Sequence, residues 1–312
     1  MSIKKIIYAV LTLLLLLGLV SKQYIYADEN PSFEFLRTEI GARPAALGGA
    51  FVGVAGDIYS LFYNPGGLAF IHKKNLSATY LNNVMDFSVG AGAYYHPLNA
   101  TSGAGIGIHY FDYGEFQGKD RFGQNTGAFG ANDIELIGSY GTLMREDLGL
   151  GVSIKYIQSK IAGYSASAIA GDFGVLYYLR DKNVTFGISA VNYGRSTKAF
   201  IDTKESLPSH VKVGITKQLA HIPLLVSGEI RRFTGGDFFF NGGSEFQVMG
   251  IVVLRIGYSS VGRNQKLGID SDRWSGFSFG GGVALKNMVI DYALTSLGGI
   301  GSQNRFTISA KF

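Results

Sequence analysis

Cysteine is missing from this chain altogether, proline occurs only 6 times in 312 residues, and charged side chains make up 16% of it. Without cysteine there can be no structural disulfide, no thiolate metal ligand and no lipoprotein anchor on an amino-terminal cysteine. The five histidines, His72, His96, His109, His210 and His221, lack ligand spacing, so no metal is expected. Gly-x-Gly groupings at Gly90, Gly149 and Gly280 do not open a helix after a strand, so they read as strand glycines rather than phosphate loops. Serines are plentiful and His109 is expected to face inward, but no motif marks a nucleophile. Neither an enzyme nor a cofactor is expected.

Long apolar runs are equally scarce. The first and longest, Ile6 to Val20, follows Lys4 and Lys5 and precedes Tyr24-Ile25-Tyr26-Ala27. Positive start, apolar stretch and small residue follow the order of a secretory signal, with cleavage expected before Asp28. A membrane anchor is the competing reading, but the run falls short of the roughly 20 residues a spanning helix needs. No comparable run follows, which excludes a helical membrane protein. The formal charge of +5 includes Lys4, Lys5 and Lys22 of the signal, so the mature chain is near +2. Nothing in that balance points to nucleic acid.

Glycine and aromatics are abundant: 44 Gly, 22 Phe and 18 Tyr. From residue 75 onward, apolar and polar residues alternate with the period of a strand. Fourteen such segments can be marked, near 75–82, 87–96, 103–112, 133–141, 147–158, 166–179, 184–192, 210–218, 223–231, 243–249, 251–260, 276–285, 287–295 and 305–312. Leu148, Leu150, Val152, Ile154 and Tyr156 share one face of the fifth, opposite Gly149, Gly151, Ser153 and Lys155. Connections after even-numbered segments are short. Those after the third (Tyr113 to Asn132), seventh (Tyr193 to Ser209), eleventh and thirteenth are longer and rich in Gly, Asn, Asp and Lys. Short turns on one side and longer loops on the other describe an all-β transmembrane antiparallel barrel of 14 strands. Its apolar face meets lipid and its polar face lines the lumen. On that phase Lys155, Asp172, Lys212, Glu229, Arg231, Arg255, Asp291, Arg305 and Lys311 are expected to point inward as a solvated, paired set.

Residues 28–74 do not fit this ladder, which leaves 75–312 as the barrel. Arg43 to Gly56 is a run of small residues, followed by Asp57 and the turn Asn64-Pro65-Gly66-Gly67. A short helix and loop at the barrel mouth is one reading, and a plug folded into the lumen is the other. A plug would be held by Arg43 and Asp57 pairing with lumen charges.

The motif Gly41-Ala42-Arg43, Leu47-Gly48-Gly49-Ala50-Phe51, Asp57 and Asn64-Pro65-Gly66-Gly67-Leu68 resembles the amino-terminal signature of the PorV/PorQ family of outer-membrane proteins. That family is related to the FadL-type channels for hydrophobic compounds. The resemblance implies a fourteen-stranded barrel with its amino-terminal segment in the lumen. For PorV-like members it implies a role in type IX secretion, in export or surface attachment of other proteins, with secretion components as partners. For FadL-like members it implies passage of long-chain fatty acids or other hydrophobic small molecules.

Three further expectations complete the reading. Phe306, Ile308 and Phe312 on the apolar face of the last segment resemble the signal by which barrel-assembly machinery recognises its clients. The site is expected to be the bacterial outer membrane, in contact with lipid and lipopolysaccharide. Phe238, Phe239 and Phe240, placed in the loop after the ninth segment, read either as an aromatic girdle or as a docking point for a hydrophobic ligand or partner.

Overall fold

The computed structural model describes residues 33–84, 87–202, 204, 206–234, 236 and 238–312. The expected signal, residues 1–27, lies outside the described residues, as do the first few residues of the segment 28–74. Fourteen strands form a closed barrel: β1 Asn75–Asn82, β2 Ser88–Pro97, β3 Ser102–Lys119, β4 Asn125–Arg145, β5 Leu148–Ile161, β6 Tyr164–Leu179, β7 Val184–Lys198, β8 His210–Gln218, β9 Leu224–Phe233, β10 Phe238–Val248, β11 Val252–Ser259, β12 Phe277–Leu285, β13 Met288–Ser296 and β14 Ser302–Lys311. Each strand pairs antiparallel with its neighbours in sequence. The seam is β1 on β14, from Asn75 opposite Lys311 to Asn82 opposite Asn304. Lys74 and Phe312 extend it by exchanging backbone hydrogen bonds of 3.1 and 3.0 Å. Closure leaves no free edge within the ring, as a bilayer requires, since lipid cannot satisfy backbone amides.

Alternation sets which side chains see lipid. On β14, Phe306 and Ile308 are outward and exposed, while Arg305 and Thr307 are inward and buried. On β5, Ile154 is 67% exposed and Lys155 4%, the reverse of a water-soluble strand. The largest aliphatic side chains thus sit where hydrocarbon surrounds them, and the inward charges are removed from it. Of the nine charges expected inward, eight are buried. Lys311 is exposed, because it is the last residue of its strand, at the barrel rim.

The height difference between the two sides is carried by strands more than by loops. The expected loop from Tyr113 to Asn132 is instead a continuation of β3 and β4, which are 18 and 21 residues long and leave only 120–124 as the connection. β5, β6 and β7 are also long, at 14, 16 and 15 residues. The other nine strands have 8–11 residues, about what a tilted strand needs to cross a bilayer. A wall of five strands therefore stands well beyond the membrane. At the tip of the β3–β4 hairpin, 114–119 and 125–130, both faces are largely exposed, so the sequence there loses the apolar alternation and imitates a loop. Phe238, Phe239 and Phe240 are likewise not in a loop: they open β10. Phe238 and Phe240 point outward and are exposed, and Phe239 turns to the Phe233 ring, 5.9 Å away.

Candidate functional site: the lumen and the segment that fills it

Residues 33–74 fold into the lumen as four short helical turns, Glu34–Arg37, Ala42–Ala46, Ser60–Tyr63 and Pro65–Phe70, joined by tight bends. Leu47, Leu61 and Leu68 are fully buried in one core with Phe51, Tyr59 and Tyr63, packed against Tyr95 and Ile137 of the wall. Phe33 and Phe35 join a second core with Phe111, Ile157 and Ala168. The small residues of the motif permit close approach of backbone to wall. Ala42, Ala45 and Ala46 lie on Ala293, and Gly48 and Gly49 take positive φ of 65° and 78°, the conformation that turns the chain across the barrel. The wall is carved to match. A side chain at Gly151 would strike Pro65, one at Gly174 would strike Asn64, one at Gly187 would strike Val52, and one at Gly257 would strike Gly48. Much of the glycine in the strands is thus explained by the shape of the plug.

Asn64 is the main joint between plug and wall. It is fully buried; its amide donates to Val52 O at 2.7 Å and to Val175 O of β6 at 3.1 Å, and its side-chain oxygen accepts from Gly66 N at 3.1 Å. The following Pro65 and Gly67 continue the turn, with Gly67 N donating to Asn64 O at 2.9 Å. Glu229 of β9 works from the other direction: one carboxylate oxygen accepts from Phe51 N and Val52 N at 3.2 and 3.1 Å. Ser227 donates to Ala50 O at 2.6 Å, and Ala42 N donates to Thr307 at 3.0 Å. Arg305 donates to Glu39 O at 3.1 Å. Barrel side chains therefore satisfy backbone groups of the irregular plug that water would otherwise serve.

The expectation for Arg43 and Asp57 is corrected in its details. They pair with each other, Nη1 to Oδ2 at 2.6 Å, and among the described residues Asp57 forms no ion pair with a wall charge. Arg43 reaches the wall through Glu245, and the chain of charges continues from Glu245 to Arg255 at 2.6 Å and from Arg255 to Asp291 at 2.6 Å. Burial alone would lower the Arg43 guanidinium, but Glu245 and Asp57 hold it above its ordinary value. A second cluster surrounds Lys155, which contacts Glu135 at 3.0 Å, Asp172 at 2.9 Å and Asn192 at 2.8 Å. His109 is fully buried beside it, 3.8 Å from Glu135 and against the Phe35 ring. Asp133, Glu135 and Glu245 are inward wall carboxylates missed in the sequence. Glu135 was findable, because it alternates with Ile134 and Leu136; Glu245 lies where β10 is rich in Gly and has no clean apolar face.

Two cavities bear on the site. One, of about 30 Å³, lies inside the lumen among Glu39, Tyr63, Glu135, Lys155, His210 and Lys212, and is polar. The other, of about 690 Å³, is apolar and lies on the outside of the wall. The ladder between β2 and β3 runs without a break from Ser88 opposite Asp112 to Pro97 opposite Gly103, so no strand kink parts the wall there.

Fold and lumen together define a plugged β-barrel of the outer membrane. The family described as "Type IX secretion system protein PorV" matches residues 30–190, which include the whole plug, and the chain belongs to that family. In shape it is similar to the toluene transporter TbuX of Ralstonia pickettii, with a TM-score of 0.59 and 14% identity over 88% of this chain and 98% of that one. The toluene transporter TodX of Pseudomonas putida gives a TM-score of 0.59 and 14% identity over 87% and 97%. A FadL homologue of Pseudomonas aeruginosa gives 0.53 and 12% over 84% and 95%. At these identities the likeness is one of fold. No curated protein matches the chain.

Proposed function

We propose that this barrel serves protein export or surface attachment in a type IX secretion system as a closed scaffold that engages other proteins outside the membrane. The observation that carries the reading is the pairing of a lumen packed with plug residues and a five-strand wall rising beyond the lipid belt. A lumen occupied by Leu47, Leu61, Leu68 and their clamps supports a closed scaffold over an apolar passage. The β3–β4 hairpin offers the protruding surface, with Phe116 and Phe129 stacked 5.7 Å apart on it. Phe306, Ile308 and Phe312 would present the assembly machinery with its recognition strand after the signal has been cleaved.

Removal of residues 114–129 with a two-residue turn in their place tests this. The barrel should still assemble, judged by heat-modified gel mobility, while secretion-system partners should no longer co-purify and surface-attached proteins should fall. Unchanged co-purification and an unchanged secreted profile would overturn the reading. The alternative, a FadL-like channel for hydrophobic molecules, draws on the fold shared with TbuX and TodX. It requires the plug to leave its clamps, and it expects slower growth on long-chain fatty acids after deletion, with the secreted profile intact.

A further inference from the structure

We propose that the outer wall across β1–β6 carries a seat for one hydrocarbon chain of a membrane lipid. The outward face of a barrel strand ordinarily presents a continuous apolar surface, but here glycines interrupt it. Gly92 on β2 lies beside outward Ala78 on one strand and Ile108 on the other. Gly138 on β4 lies between Ile106 and Ile154. The missing side chains leave the depression of about 690 Å³ described above, walled by Leu76, Ile106, Ile108, Leu136, Ile154 and Ile169. Ile106, Ile154 and Ile169 are 64%, 67% and 48% exposed, which leaves their aliphatic surface open to a guest.

Chemistry and position choose the occupant. The lining is almost wholly aliphatic, and its few polar atoms are already engaged: the Tyr94 hydroxyl lies 3.2 Å from His96 Nδ1, and the Tyr156 hydroxyl accepts from Gln158 at 3.3 Å. Neither hydroxyl brings a charge to hold a headgroup. The depression is continuous with the lipid-facing belt, so a hydrocarbon chain reaches it directly from the bilayer. Concave shape increases the contact each methylene makes, compared with a convex barrel wall. The unbroken β2–β3 ladder makes it an external seat and separates it from any route into the lumen. Gly107 faces the other way, and a side chain there would meet plug residues Leu61 and Phe62. One peptide layer thus divides lipid seat from plug.

Filling the seat is structurally permitted, because a Cβ at Gly92 has its nearest neighbour at 3.5 Å and one at Gly138 at 3.9 Å. The test uses the full chain in nanodiscs of phosphatidylcholine doped with acyl-brominated phosphatidylcholine. With Trp274→Phe to remove the native indole, Tyr94→Trp reports the seat and Phe186→Trp reports ordinary outward wall on β7. At low brominated fraction the seat reporter should be quenched several-fold more steeply. Gly92→Leu with Gly138→Leu should remove that excess while gel mobility stays native. Equal quenching at the two reporters overturns the proposal, as does an excess that survives both leucines. Weaker quenching at Tyr94→Trp than at Phe186→Trp also overturns it, since a protein partner rather than lipid would then cover the wall.

Discussion

Arg43 of the plug and Glu245 of β10 meet in a two-pronged ion pair, Nε to Oε2 at 2.8 Å and Nη2 to Oε1 at 2.9 Å. The planar fork matches the carboxylate and fixes direction as well as distance, which an ammonium cannot do. Arg43→Lys should therefore weaken the plug joint almost as much as Arg43→Ala. Removing one partner leaves charges stranded in the lumen, at a cost of about 2–4 kcal/mol once partial solvent access is allowed for. Urea unfolding of the detergent-solubilised barrel measures it; a lysine variant of native stability would contradict the account.

Asp57 supports the same guanidinium from the plug side. Asp57→Ala should loosen the segment and raise leak of small solutes from liposomes, more so when combined with Arg43→Ala. Leak equal to the native protein in both variants would remove these residues from any sealing role.

At Asn64 the side-chain amide donates twice, and no other small side chain reproduces that. Asn64→Asp is nearly isosteric but replaces both donors with an acceptor facing two carbonyls. It should destabilise by about 3 kcal/mol or more, exceeding Asn64→Ala. The order of the two variants in urea midpoint decides the point.

Glycine substitutions should divide sharply by face. Gly151→Val drives a branched side chain into Pro65 and should cost at least about 1–3 kcal/mol or expel the plug, exposing residues 33–74 to protease. Gly90→Ala, whose added methyl meets nothing within 4 Å, should be silent. Equal protease resistance in both variants would argue against a plug seated on the wall.

Asp272 ties the loop 260–276 to the loop 297–301. Its Oδ1 accepts from Gly299 N at 3.0 Å, and its Oδ2 accepts from Leu267, Gly268 and Ile269 N at 2.7, 2.6 and 3.0 Å. These backbone donors, Gly299 first, hold the carboxyl below its ordinary value of 3.8. A depressed carboxyl contributes fully above its unfolded pKa and loses that contribution as pH falls through the folded one. Hydrogen exchange at Gly268 and Gly299 should therefore accelerate only below about pH 4. Asp272→Asn should show fast exchange at every pH.

Much of the barrel was legible in the sequence because lipid enforces alternation where strands cross it. Ile154 beside Lys155 and Phe306 beside Arg305 each declare a face. Beyond the membrane that pressure ends, so Tyr113 to Lys119 read as loop although it is strand, and Phe238 to Phe240 were misplaced for a similar lack of context. The motif from Gly41 to Leu68 marked the plug but not its partners. Arg43 and Glu245 are 202 residues apart, and nothing local to either predicts the other. Only closure of the ring brings them together.

That closure joins Asn75 to Lys311, so the last bonds of the ring form between residues at opposite ends of the barrel sequence. Loop-closure entropy makes such pairing slow. The plug lies immediately before β1 in the chain, so it can settle on the inward face of the sheet before the seam locks. A curved, unsealed sheet would then fold around Leu47, Leu61 and Leu68 as around a former, and the plug would set the circumference at which β1 meets β14. A chain lacking residues 33–74 should accordingly close more slowly in a refolding assay, with sealed barrel appearing by gel mobility only after a lag.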